Sequence, residues 1–477
     1  MLEGLEIQEL NLSVVQFENR SFRFDSTFFV KNAVDLDLKM KAANHFFLEE
    51  KNVVSGPFGS TLKSHAYLTE GVPFVRIENI KGGFEISTAE IIYISEEDNE
   101  RLRNSQLFID DLVLSKVGNT IGYYARVDEE LGRCNISENN IGIKLGAFPV
   151  HRRHFILTYL NSEIGRILTL RRISGNAQPK LNVFDISEIP IPTFKEEFEK
   201  SISQLVIESR SLKHNSVSKY QQAENELLKT LELSDFEPSK EPVNIKSFSE
   251  SFGSSGRLDA EYYQIKNEDY ETLVKLYRSG HEPFEIACSL KDKNFNPEDK
   301  TEYNYIELAN IGKSGEIKDC TTGFGEELPS RARRKVATND VVVSSIEGSL
   351  DSCALVTTEY NNALCSTGFY VVKSKKLNPE TLLVLFKSEP MQALLKKGCS
   401  GTILTAISKT ELSKIPIPLI DKETQESIKT KINESFDLRK QSEHLLEVAK
   451  TAVEMAIEQD EATAIAYIKE TTFTAKG

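Results

Sequence analysis

The sequence carries one series of motifs twice, in the same order. Ile189-Pro190-Ile191-Pro192 returns 226 positions later as Ile415-Pro416-Ile417-Pro418. The match runs on without a gap, since Ile202, Glu208-Ser209 and Leu212 recur as Ile428, Glu434-Ser435 and Leu438, and Ser174-Gly175 recurs as Ser400-Gly401. Further upstream the spacing drifts to 229, 231 and then 234 positions. Asp111-Leu112-Val113-Leu114-Ser115, with Gly118 beyond it, returns as Asp340-Val341-Val342-Val343-Ser344, with Gly348 beyond it. Phe74-Val75-Arg76-Ile77-Glu78-Asn79-Ile80 returns loosely as Tyr305-Ile306-Glu307-Leu308-Ala309-Asn310-Ile311. Arg23-Phe24-Asp25 before Phe28-Phe29 returns as Arg257-Leu258-Asp259 before Tyr262-Tyr263. A gapless match through a proline motif into the following segment, with drift confined to earlier positions, marks an internal duplication with insertions in its surface loops.

Within each copy the pattern changes at the proline motif. Before it come short runs rich in Val, Ile, Phe and Tyr, at 73–80, 112–116 and 141–145 and again at 303–308, 341–345 and 368–372, bounded by turn residues. Helical stretches are expected at 154–169 and 379–396. This predicts a mixed domain with a curved, largely antiparallel sheet. After the motif, residues 195–233 and 421–458 hold neither proline nor glycine. Apolar residues there recur at three- and four-residue spacing, as in coiled-coil helices. Ile202, Leu205, Leu212, Tyr220 and Leu227 form one packing stripe, and Ile428, Ile432, Phe436, Leu446 and Val453 the other. The prolines are expected to stop the preceding strand and aim the helix. Some 38 residues at ~1.5 Å rise make rods of roughly 55–60 Å. Ordinary globular helices average only about 11–12 residues, so rods this long are expected to span between domains and pair antiparallel.

The fold class is therefore α+β, with two mixed α/β domains separated by two long antiparallel coiled-coil helices and related by an internal pseudo-twofold repeat. The expected boundaries are 1–193 for the first domain, 194–234 for the first helix, 235–419 for the second domain and 420–470 for the second helix. The polar, proline-bearing segment at 234–243 links the halves.

Composition bounds the function. At 477 residues, 39% hydrophobic and 27% charged, the chain has the make-up of a soluble globular protein. No apolar run approaches the ~18 residues that span a bilayer. MLEGLEIQEL lacks a signal-peptide pattern, and the six cysteines include no CxxC pair. Both point to a reducing cytoplasmic setting without disulfides or metal. A net charge of −14 argues against non-specific coating of nucleic acid and leaves room for a local basic surface. Catalytic signatures are missing. Gly312-Lys313-Ser314 has Glu307 where a phosphate-binding loop needs glycine, and no two prolines are adjacent. His151 and His154 flank Arg152-Arg153 and read as a basic helix start rather than a metal pair.

The ordered set resembles the specificity subunits of type I restriction-modification systems. It comprises Arg-x-Asp-x-x with a following aromatic pair, hydrophobic-Arg-x-x-Asn-Ile (with Glu307 in place of the Arg in the second half), Asp before an apolar run ending in Ser with a nearby Gly, then Ser-Gly, Ile-Pro-Ile-Pro and a long helix. Residues 115–122, 136–140 and 178–182 resemble that family's target-recognition domains. The resemblance covers almost the whole chain. It implies two domains that each read half of a bipartite site on double-stranded DNA, and paired helices that fix the gap and dock two methyltransferase subunits. Restriction (helicase-nuclease) subunits are an optional addition. The chain itself would hold no cofactor and catalyse nothing. S-adenosylmethionine, ATP and Mg would sit on partners that methylate adenine N6. Rods of this length place half-sites at most about 17 base pairs apart.

Base readout needs polar side chains on loops, ringed by cations for phosphate. The candidates in the first half are Lys63, Arg76, Lys116, Asn119, Asn176, Gln178 and Lys180. In the second they are Arg331, Arg333, Arg334, Lys335, Ser345, Ser349 and Thr402. Glu307 stands where the first half has Arg76, so the two halves are expected to read different sequences. Arg23 with Asp25, Arg257 with Asp259, Asp111 and Asp340 read as structural. Two other readings fit the repeat. One is the recognition subunit of a type II methylation and cleavage system, and the other is a coiled-coil scaffold that binds no DNA.

Overall fold

The computed structural model describes residues 9, 11–17, 23, 25–59, 61–88, 90–175, 178–318, 320–401 and 405–474. Its contacts divide the chain into two units, one made of Met1–Ser211 with Gln441–Gly477 and the other of Leu212–Lys440.

Eight strands of the first unit form two sheets: β1 (Val53–Ser55), β2 (Val72–Val75), β3 (Ile92–Ile94), β4 (Leu107–Phe108), β5 (Leu112–Ser115), β6 (Tyr124–Arg126), β7 (Arg133–Ile136) and β8 (Asn140–Ile143). One sheet runs β1-β8-β5-β6 and the other β3-β2-β7-β4. All pairs are antiparallel except β2 with β7. Val113 and Ala125 from the first sheet meet Val75, Leu107 and Ile136 from the second in one core. Because β5 is covered on both faces, its Leu-Val-Leu run is wholly buried and does not alternate with polar residues.

The second unit repeats this strand for strand: β9 (Cys288–Leu290), β10 (Glu302–Ile306), β11 (Thr321–Phe324), β12 (Ala332–Lys335), β13 (Val341–Ser344), β14 (Cys353–Leu355), β15 (Leu364–Ser366) and β16 (Phe369–Ser374). The sheet orders are β9-β16-β13-β14 and β11-β10-β15-β12, and β10 with β15 is the parallel pair. Each strand number is that of its counterpart plus eight.

Side chains repeat as well. Arg23 pairs with Asp25 at 2.7 Å and lies over the Phe28 ring, and Arg257 pairs with Asp259 at 2.6 Å over Tyr262. Asp110 and Asn339 both take the left-handed conformation, with φ of 67° and 68°. Such short polar residues tolerate it at the turn before a strand. The next residue, Asp111 or Asp340, accepts a backbone N–H from Phe108 or Ala337.

The structure corrects several sequence expectations. The strand expected over 73–80 ends at Val75, because Asn79 accepts the Arg76 N–H at 2.9 Å and turns the chain. Asn310 does the same to Glu307 at 2.7 Å. The helix expected at 154–169 is two helices, Val150–Asn161 and Glu163–Arg171. Ser162 breaks it by bonding the Tyr159 carbonyl and capping Gly165. The stretch at 379–396 splits likewise at Ser388, which bonds the Leu385 carbonyl just before Pro390. The proline motif is itself a strand. Ile191–Pro192 pairs with His45–Phe46, and Pro416–Pro418 with His281–Pro283. Proline is admissible there because these are two-stranded edges that spare an N–H. The second long helix ends at Glu458 rather than 470. Asp460 then caps a separate helix, Glu461–Thr474, by accepting the Thr463 N–H.

The long helices are Glu196–Thr230 and Lys422–Glu458. Ile202, Leu205, Tyr220, Leu227, Ile428, Ile432 and Val453 are buried, while Leu212, Phe436 and Leu446 are partly so, with Leu445 the buried neighbour of the last. Buried serines also line the seam, which the apolar stripe did not predict. In the first unit Ser209 and Ser442 each donate to the other's backbone carbonyl, at 2.8 and 2.7 Å. In the second unit Ser435 donates to the Ser216 carbonyl at 2.8 Å, with the two hydroxyls 3.2 Å apart. Within the second unit Ser216 meets Ser435 and Glu226 meets Lys431, so the two helix segments there run antiparallel. Each helix is also locked to its own unit at equivalent positions. Buried Glu199 takes an ion pair from Arg152 at 2.6 Å, and Gln425 accepts the Asn378 N–H at 2.8 Å.

Two predictions follow from this packing. Ser209→Leu should lower the urea midpoint by an overpacking cost of about 1–3 kcal/mol, whereas Ser209→Ala should cost only about 1 kcal/mol. Asp110 is penalised by burial, but bonds from His154 and Arg126 outweigh this and hold its carboxyl down to about 2. A depressed carboxylate stabilises the fold above its unfolded pKa and loses that contribution as pH falls through the folded one. Asp110→Asn should therefore lower stability at neutral pH and flatten its decline between about pH 4 and pH 2 by roughly 2 kcal/mol, as read from unfolding midpoints against pH.

Candidate nucleic-acid interface

In the first unit the strand ends converge on one edge. Ser55 at the end of β1 lies opposite Ile141, Ser115 at the end of β5 opposite Asn140, and Val75 at the end of β2 beside Ile136. The loops after β1, β2, β5 and β7 therefore open together. The hairpin at 174–180 joins them: Ser174 and Lys180 exchange backbone bonds at 2.9 Å, and the Leu181 N–H donates to the Lys116 carbonyl at 2.9 Å.

This edge gathers the described candidates. Asn119, Gln178 and Lys180 are exposed on it, and exposed Lys63 rides on the connection from β1 to β2. Arg76, half-buried, follows β2 with its Nε 3.8 Å from Glu78. Lys116 is half-buried and donates to the Glu138 carbonyl at 2.9 Å and to the Ser55 hydroxyl. Burial pushes its ammonium pKa down, nearby Glu138 opposes this, and Lys180 reinforces it. A desolvated ammonium beside a second cation is a spot of positive potential on an otherwise acidic chain, as an incoming phosphate requires. Asn176 lies outside the described residues.

The second unit builds the same edge from different residues. The Ile407 N–H donates to the Ser345 carbonyl at 2.8 Å, which repeats the Leu181–Lys116 bond. Arg331 is exposed just beyond β12, where its carbonyl accepts the Thr367 N–H at 2.9 Å. Arg333 is engaged locally, donating to the Ser330 carbonyl and to Asn296. Arg334 is half-buried, and its Nε and Nη1 have no hydrogen-bond partner among the described residues. Lys335 is not brought to the edge. It sits at the other end of β12, with its ammonium 5.0 Å from the Phe295 ring. Ser345 donates to the Gly368 carbonyl, and Ser349 meets the Ser344 hydroxyl at 3.1 Å. The latter repeats the Ser115–Thr120 pair at 3.0 Å, so Ser349 maintains the turn. Thr402 lies outside the described residues.

Sequence reasoning missed Glu138, an exposed acid at the centre of the first edge, which accepts the Gly59 N–H at 2.5 Å. Its only signal was the polar run at 137–140 between two strands. Among the described residues no cluster of His, Cys, Asp and Glu could hold a metal, and no helix is long and apolar enough to cross a membrane.

Residues 282–446 match the family model of the type I restriction modification DNA specificity domain. This part of the chain is similar to such a specificity domain. The matched span holds β9 through β16, the second proline motif and much of the second long helix. The first unit, which lies outside the matched span, has the same strand order as the second. No curated protein matches the chain. Two solved structures are similar over most of its length. One is the S subunit of the type I restriction-modification system from M. genitalium, at 12% identity and a TM-score of 0.36, covering 89% of this chain and 96% of that one. The other is the HsdS subunit from Thermoanaerobacter tengcongensis, at 12% identity and a TM-score of 0.25, covering 82% and 90%.

If the two edges contact phosphate, removing their exposed cations should weaken binding to all sequences alike. Replacing Lys63, Lys180 and Arg331 with Ala should reduce the slope of log DNA affinity against log salt by about 1 per lost phosphate contact. An unchanged slope in a salt titration removes these residues from the interface.

Proposed function

We propose that this chain is the DNA-recognition subunit of a type I restriction-modification complex. Each unit reads one half of a bipartite, asymmetric site on double-stranded DNA. The carrying observation is that one strand topology occurs twice with different residues on the same edge. Arg76 corresponds to Glu307 and Lys116 to Ser345. A shared frame with unlike loops suits two readers of unlike sequence, for the geometric reason that paired readers address separated half-sites. The long helices set the gap and dock two methyltransferase subunits, with restriction subunits as a further layer. The chain performs no group transfer, and S-adenosylmethionine, ATP and Mg are held by its partners.

Co-expression with a type I methyltransferase subunit, followed by mapping of methylated adenines, tests this. A two-part, gapped, asymmetric motif is expected. A continuous or palindromic motif supports a type II assignment, and methylation that never depends on the chain supports a scaffold that binds no DNA. Either result overturns the proposal.

A further inference from the structure

Phe58 is the most exposed phenylalanine among the described residues, with 82% of its surface open to solvent. Single exposed apolar residues are common and need no explanation by themselves. Phe58 differs in how its backbone is held. Two residues before it, Gly56 packs so tightly that a Cβ there would lie 1.9 Å from the Ser137 carbonyl oxygen. One residue after it, the Gly59 N–H is held by the Glu138 carboxylate at 2.5 Å, and the Thr61 N–H closes a turn on the Phe58 carbonyl at 2.8 Å. A loop anchored on both sides presents its ring outward from the edge that also carries Lys116 and Lys180. Glu138 serves both features, since its backbone carbonyl binds Lys116 while its carboxylate pins the loop.

The second unit treats its aromatic residue in the opposite way. Phe295 follows β9 as Phe58 follows β1, but it is half-buried, with its ring 6.1 Å from Tyr303 and beneath the Lys335 ammonium. Of these two aromatic side chains, Phe58 is the one free to enter a ligand.

We propose that Phe58 is an apolar wedge that inserts against a base step of the duplex in the half-site read by the first unit. The proposal rests on the DNA-recognition reading above and adds an asymmetry to it. Apolar side chains on a cationic surface can unstack a base step once flanking cations hold the phosphates. Phe58 is on the first edge alone, so the step should open in one half-site and stay stacked in the other.

The test uses the assembled complex with its methyltransferase and duplexes carrying 2-aminopurine at single positions, away from the methylated adenine. The wild-type complex should raise fluorescence at a position in the first unit's half-site and at none in the second unit's. Phe58→Ala should abolish that rise and weaken DNA binding by about tenfold, while Phe58→Trp should retain the rise. An exposed ring makes few packing contacts, so the variant should fold and assemble as wild type does. If Phe58→Ala matches wild type in fluorescence and affinity, the wedge is wrong and the recognition function stands. If it impairs only assembly with the methyltransferase, Phe58 is a protein contact and the wedge is again wrong. If the wild-type complex shows no sequence-dependent binding, the recognition reading falls and the wedge falls with it.

Discussion

The fold depends on reciprocal hydrogen bonds between buried serines on the two long helices. A serine hydroxyl is small enough to let helix backbones approach and polar enough to require a partner once buried. Ser209 and Ser442 satisfy each other through backbone carbonyls, while Ser435 donates to the Ser216 carbonyl and the two hydroxyls of that pair meet. Sliding one helix along the other by a turn would leave these hydroxyls buried without partners and press larger side chains into the space. Leucine would supply more apolar burial but would define the register less sharply. The repeat maps Ser209 onto Ser435 and Ser216 onto Ser442, so it converts one contact into the other. The duplicated sequence and the antiparallel pairing are one constraint seen at two levels.

Each long helix is held to its own unit by equivalent contacts with changed chemistry. Arg152 with Glu199 is an ion pair, while Asn378 with Gln425 at the same repeat positions is a pair of amides. The clamps at the domain starts, the left-handed residues before β5 and β13, and the hydroxyl pairs after them have been kept. Edge residues have not. Where Lys116 is desolvated beside Lys180, the second unit has Ser345 bonded to Gly368. Retained bonds cluster where the backbone must turn, and divergence clusters where side chains face outward.

This division explains what was legible in the sequence. The repeat, the strands centred on Val113 and Val342, and the long helices could be read because burial imposes apolar patterns that survive in one sequence. Boundaries set by a single polar side chain could not. Asn79, Ser162, Ser388 and Asp460 each end or begin an element through one or two hydrogen bonds, and residues of those types are common in loops as well. The edge was half legible. Basic and amide residues near strand ends pointed to Lys116 and Lys180, yet nothing in the run at 331–335 showed that Lys335 faces away from Arg331. An aromatic residue near a strand, such as Phe58, reads by default as core.

The first unit is assembled from two separate stretches, Met1–Ser211 and Gln441–Gly477, while the second is the continuous stretch between them. Synthesis from the N-terminus imposes an order on this arrangement. The second unit has all its own residues once Lys440 has been made, whereas the first still lacks the helical turns that carry Ser442. Until those turns emerge, Ser209 has no partner and the inner face of the first long helix stays open. A stretch made only after the whole second unit thus closes the unit begun first, and synthesis halted between the two would leave one unit finished and the other unsealed.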